Sequence, residues 1–158
     1  MTDRAFSTAP PSVSARSAKL IALLERFPMA LLQFLFRFSI ATVFWSSGQT
    51  KIASWQTTIA LFRDEYKVPL LPPELAATLA ATVELSCPVL LVLGLATRLA
   101  TLPMLGMTFV IEAFVYPQDW VEHLTWTAFL LFILTRGPGA IAIDRFLAPL
   151  LLGRPETH

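Results

Sequence analysis

The sequence predicts an all-α fold: a four-helix transmembrane bundle with short interfacial helices. Three observations carry that expectation. Apolar residues make up 55% of the chain and charged residues only 15%, against about 25% in soluble domains, and the mean hydropathy is +0.63. Residues 76–96 (AATLAATVELSCPVLLVLGLA) form a 21-residue apolar run with one ionisable side chain, Glu84, and about 20 such residues cross a bilayer core as a helix. Two further runs of that character and a shorter fourth are separated by proline, glycine and charged residues. The 158 residues suffice for one domain.

Residues 1–19 are polar, contain proline and serine, and lack an apolar period, which predicts a disordered cytoplasmic tail. No apolar stretch follows a basic start within it, so it does not read as a secretory signal. A four-span membrane domain is expected over 20–146. Its first piece, 20–27, reads as a short interfacial helix, and Pro28 is well placed to start the next helix. The first span is expected over 29–47. Gln33 and Arg37, four residues apart, share one of its faces, and Trp45 sits near its far end as an interfacial aromatic does. Gly48 and Lys51 read as its exit, with the lysine snorkelling to the headgroups.

Residues 52–73 read as a loop closed by Pro69, Pro72 and Pro73, within which 55–66 fits an amphipathic helix on the membrane surface. The second span covers 74–96. Pro88 is expected to kink it and to free a backbone carbonyl near Glu84. Thr97-Arg98 leaves room only for a hairpin. The third span, 99–116, is softened by Pro103 and Gly106 and carries Glu112 in its outer half. After the loop 117–122, the fourth apolar run is 123–135. Extended to Trp120 and Arg136 it reaches about 17 residues, the lower limit for a span. Gly137-Pro138-Gly139 breaks it. A short amphipathic helix is expected around Asp144 and Arg145, and 147–158 as a cytoplasmic tail.

Lysine and arginine near span ends set orientation. Arg4, Arg16, Lys19, Arg26, Arg98, Arg136, Arg145 and Arg154 fall on one side, and Lys51, Arg63 and Lys67 on the other. Eight against three places both termini in the cytoplasm. At about 1.5 Å per helical residue, Arg37 lies roughly 12 Å from the cytoplasmic face, Glu84 roughly 18 Å and Glu112 roughly 20 Å. Intramembrane charges face the interior of a bundle, so Arg37, Trp45, Lys51, Glu84, Glu112 and His123 form the candidate ligand-binding group. Two carboxylates meeting in low dielectric cannot both stay ionised without a cation. Arg37 is expected to hold one of Glu84 and Glu112 charged, leaving the other neutral.

The pattern resembles the DoxX family of small bacterial membrane proteins. The matching pieces are Arg37 in the first span, Trp45, Gly48 and Lys51 at its exit, and Val83-Glu84-Leu85 opening the second span. They continue with Gly94 and Arg98 at that span's exit, and Gly137-Pro138-Gly139 followed by Asp144 after the fourth. The resemblance covers about 31–145. It departs at Ser86-Cys87-Pro88, where the family is usually glycine-containing. It implies a four-helix membrane bundle of the cell inner membrane. For some members it also implies an association with quinone-linked oxidation of sulfur compounds or with redox-stress complexes.

Each candidate has a bland reading beside the functional one. Arg37 with Glu84, and Glu112 with them, either form a polar site for a quinone, proton or small solute or fix helix register. His123 reads first as a solvated end residue and second as a ligand or proton carrier. Lys51 either snorkels or contacts a ligand. Trp45, Trp120 and Trp126 read as an interfacial belt, and Cys87 as a small buried hydrophobe. One cysteine excludes a Cys-x-x-Cys redox pair. A net charge of +1 gives no reason to expect nucleic acid. No phosphate loop, nucleophile elbow, haem motif or dinucleotide fingerprint is present, and the ligands are too few for a metal site. The family resemblance implies, as the expected role, an accessory subunit of a quinone-linked redox system, with the lipid bilayer and a redox protein as partners. The alternatives are a small-solute or proton carrier and a non-catalytic membrane scaffold.

Overall fold

A computed structural model describes residues 15–151. Helix α1 (Ala15–Glu25) begins inside the expected tail, so residues 15–19 are helical. The expectation of disorder over 1–14, and the end of the C-terminal tail from 152, lie outside the described residues. Leu20, Leu23 and Leu24 of α1 are exposed. Pro28 adopts an extended conformation and starts α2 (Met29–Ala53).

Helix α2 passes through Gly48 and Lys51 instead of ending there. Glycine costs a helix about 1 kcal/mol, but here it serves packing. A Cβ at Gly48 would lie 2.8 Å from Leu85 Cδ2 and 3.0 Å from Glu84 Cβ, so the missing side chain is what lets the two helices approach. Helix α3 (Trp55–Leu61) continues into a π-helical turn, Phe62–Tyr66. The expected helix over 55–66 is present. Its inner face, with Thr58, Ile59 and Phe62, is buried, and Phe62 packs on Ala76 and Ala77.

Helix α4 (Pro73–Leu93) starts on a proline at its first position and runs continuously through Pro88. Gly94 (φ +70°) ends it in the left-handed conformation that glycine adopts without strain. Helix α5 (Thr97–Val110) continues into a second π-helical turn, Ile111–Val115. A 3-10 turn, Pro117–Asp119, leads into α6 (Trp120–Arg136). Helix α7 (Asp144–Leu151) closes the described chain, so 147–151 is helical where a tail was expected.

The main core draws on α2 (Ile40, Ala41, Phe44), α4 (Cys87, Leu91), α5 (Ala100, Met104) and α6 (Leu130, Ile133). Phe36 stacks on Phe129 and meets Phe132 edge-on, which ties α2 to α6. Outward the chain is apolar as well: Leu99 is 70% exposed and Phe109 69%. Such a surface suits acyl chains better than water. Among the described residues three segments are long and apolar enough to cross a membrane: Met29–Ala53, Pro73–Leu93 and Thr97–Val115. Helix α6 has 17 residues, about 25 Å at the helical rise.

Candidate functional site

The buried polar groups divide between the two ends of the bundle. At one end stands Arg37, fully buried. Its Nη1 donates to the Leu91 carbonyl at 2.9 Å, and its Nη2 donates to the Ile141 carbonyl. The guanidinium also lies 5.6 Å from the centroid of the Phe34 ring. Just beyond, the Asp144 carboxylate accepts from the Ala96 N–H at 2.7 Å and the Thr97 N–H at 2.9 Å, satisfying first-turn donors of α5. Ile143 and Asp144 donate their backbone N–H groups to the carbonyls of Leu93 and Gly94.

The expected pairing of Arg37 with Glu84 or Glu112 is therefore corrected. The guanidinium instead finds two backbone carbonyls, Leu91 in the last turn of α4 and Ile141 in the segment before α7. Leu91 is seven residues beyond Glu84, about 10 Å along the axis.

At the other end Lys51 Nζ lies 2.8 Å from Glu84 Oε1. Ser47, one turn before Lys51 on α2, donates to the same oxygen at 3.1 Å and accepts from Lys51 Nζ at 2.9 Å. Glu84 is 2% exposed. Its second oxygen, Oε2, is buried and has no hydrogen-bond partner among the described residues. Thr58 of α3 donates to the Lys51 carbonyl at 2.8 Å, which fixes the end of α2.

Glu112 has a different partner: its Oε2 lies 2.6 Å from His123 Nδ1. His123 is 4% exposed, not the solvated end residue expected, and its ring meets Trp126 edge-on at 5.0 Å. The two carboxylates thus take separate partners, and neither competes for Arg37.

Lys51, Glu84 and His123 line one cavity of about 480 Å³. Leu79, Val83, Met107, Val110 and Ile111 make its apolar wall, and Phe62, Tyr66, Val115 and Tyr116 bring the two π-helical turns against it. Tyr116 donates to Glu65 Oε1 at 2.9 Å and packs its ring edge-on against Tyr66. Burial, then the contacts with Tyr66 and Glu65, raise the Tyr116 phenol above its ordinary value, so it remains a donor through alkaline pH. His123 also lines a neighbouring cavity of about 420 Å³ together with Glu112.

Two of the six expected residues stand apart. Arg37 is at the opposite end, and Trp45, 42% exposed, lines an outward groove with Phe38 and Val89. Trp126, expected in an interfacial belt, lines the main cavity and packs against Phe44. Sequence reasoning missed Ser47, although its spacing of four from Lys51 was visible. It also missed Tyr66 and Tyr116, whose meeting across 50 residues leaves no local signal. Among the described residues no group of three or more His, Cys, Asp or Glu side chains is placed to hold a metal ion.

This arrangement of apolar helices around buried charge is that of a membrane protein, and its family can be stated. The chain matches the DoxX family over residues 32–117, just over half its length, and belongs to that family. Neither a curated protein nor a solved structure matches it.

Proposed function

We propose that this DoxX-family protein is a four-span subunit of the inner membrane, accessory to a quinone-linked redox system, with both termini in the cytoplasm. One observation carries the reading: a cavity of about 480 Å³, within the usual range for small-molecule sites, has apolar walls and a Lys51–Glu84–Ser47 group in which Glu84 is buried and its two partners half-buried. Apolar walls suit the ring and tail of a quinone. Lys51 supplies a hydrogen-bond donor for one of its oxygens, and the unpartnered Glu84 Oε2 is what a bound polar group would relieve. A bound quinone supplies two-electron, two-proton chemistry; these residues bind it and orient it away from water. With a single cysteine the chain has no thiol pair to carry electrons, so a partner protein delivers them.

The orientation rests on eight basic residues against three. The Arg98 side chain lies beside Gly137, and the start of α7 is bonded to the end of α4, so Arg98, Arg136 and Arg145 share one end. Helix α6 is the fourth span in this reading, because it contributes Leu130 and Ile133 to the common core.

The test is mass spectrometry of protein purified in mild detergent. A stoichiometric quinone that is lost in Glu84→Gln supports the reading. Ligand-free wild type that still captures its partner chain, unchanged by Glu84→Gln, sinks it in favour of a scaffold. A second reading, a proton or small-solute carrier, is favoured by His123, which lines both cavities while holding Glu112. Proton-coupled flux in liposomes that is lost in His123→Gln would select it.

A further inference from the structure

The polar floor of the main cavity has unused hydrogen-bonding capacity of two kinds. An ammonium group has three donors. Lys51 gives one to Glu84 Oε1 and one to Ser47 Oγ, and among the described residues the third has no partner. A carboxylate has two oxygens, each able to accept more than once. Glu84 Oε1 takes both Lys51 and Ser47, while Oε2 takes nothing although it is buried. The Ser47 hydroxyl is already used as both donor and acceptor. What remains is one free donor on Lys51 and one buried, unpartnered acceptor on Glu84, ion-paired side chains that both line a cavity with apolar walls.

Few chemical groups complement that pair. A carbonyl oxygen accepts from Lys51 but leaves Oε2 without a donor. An ammonium satisfies Oε2 but meets the like charge of Lys51. A carboxylate or phosphate is opposed by Glu84 and by Asp119 and Glu122, which also line the cavity. A hydroxyl satisfies both, donating to Oε2 while accepting from Nζ. The cost of a buried polar atom left unpaired is what makes such sites selective. A site built to bond a hydroxyl rejects the analogue that lacks it far more strongly than an apolar pocket rejects an extra group.

We propose that Lys51 and Glu84 form a hydroxyl subsite, which makes the cavity select the reduced, hydroxyl-bearing form of its aromatic ligand over the carbonyl-bearing form. This rests on the quinone reading above and sharpens it, since either redox form would satisfy that reading. By linkage, a tenfold preference for the reduced form raises the bound couple's potential by about 30 mV for two electrons.

The experiment is anaerobic calorimetric titration of detergent-purified full-length protein with four probes: duroquinone, durohydroquinone, tetramethylphenol and decanol. Durohydroquinone and tetramethylphenol are expected to bind at least tenfold tighter than duroquinone. In Glu84→Gln, which removes the charge that holds Lys51, binding of all the probes is expected to weaken and that preference to vanish. The wild-type comparison decides by itself, so a variant that fails to fold removes nothing from the test. Equal affinity for duroquinone and durohydroquinone would overturn the hydroxyl subsite and leave the quinone reading standing, with water satisfying Oε2. Decanol binding as tightly as durohydroquinone would keep the subsite and overturn the quinone reading. No binding by any probe would overturn both.

Discussion

Arg37 and Glu84 are both almost wholly buried, yet removing them has different consequences. Arg37 bonds to backbone carbonyls of α4 and of the segment before α7. Hydrogen bonds from a charged donor contribute about 1.5–3 kcal/mol each. Arg37→Leu is therefore expected to lower stability by about 3 kcal/mol or more, read as a fall in detergent melting temperature, while any bound ligand is retained. Glu84→Gln is expected to show the reverse, a modest stability change and loss of ligand. Equal ligand loss in both variants would return Arg37 to the site. Gly48 is a third case. A methyl group there would press on Glu84 Cβ at 3.0 Å, and overpacking costs about 1–3 kcal/mol. Gly48→Ala is expected to destabilise by that amount and to displace Glu84, which thermal unfolding with ligand titration would detect together.

The two π-helical turns face each other at the end of α3 and the end of α5, and Tyr66 and Tyr116 join them. Because the Tyr116 phenol is raised above its ordinary value, its contribution to stability is complete below a pH of about 10 and is lost as pH rises through its folded value. The chain has two tyrosines. Absorbance titration in alkali is expected to show a late ionisation that is absent in Tyr116→Phe; a late ionisation that survives that substitution, or none in the wild type, would contradict the packing. Much at this scale was legible beforehand. The span read over 74–96 is α4, which starts one residue earlier at Pro73 and stops before Gly94, and the limits of α6 follow from Trp120 and Arg136. Helix α2 was read short because Gly48 looks like a break, whereas its role is close approach. The partner of Arg37 was not legible, because a sequence counts depth along a helix but gives neither azimuth nor the free carbonyls at a helix end. Lys51 and Glu84 were both chosen from the sequence as candidates, but 33 residues separate them and no local pattern joins them.

At the scale of the whole molecule Arg98, Arg136 and Arg145 gather at the Arg37 end, while the cavity lies at the other. Orientation is checked by labelling in a Cys87→Ala background. Leu70→Cys, at a fully exposed position in the loop before α4, is expected to react with a membrane-impermeant maleimide in spheroplasts. Glu25→Cys is expected to react only in inverted vesicles, and the opposite pattern would invert the proposed topology. The lengths of the helices carry one more consequence. Helix α2 has 25 residues and α6 has 17, and a segment of about 25 Å falls short of a hydrocarbon core of about 30 Å. Around a short span the bilayer thins or the flanking residues reach outward. In the proposed four-span arrangement His123, three residues from the start of α6, lies on the side where that mismatch would draw the aqueous boundary inward. On the carrier reading, the lipid around the protein would itself be part of the proton path, and the membrane's own thickness would set how far a proton travels to reach His123.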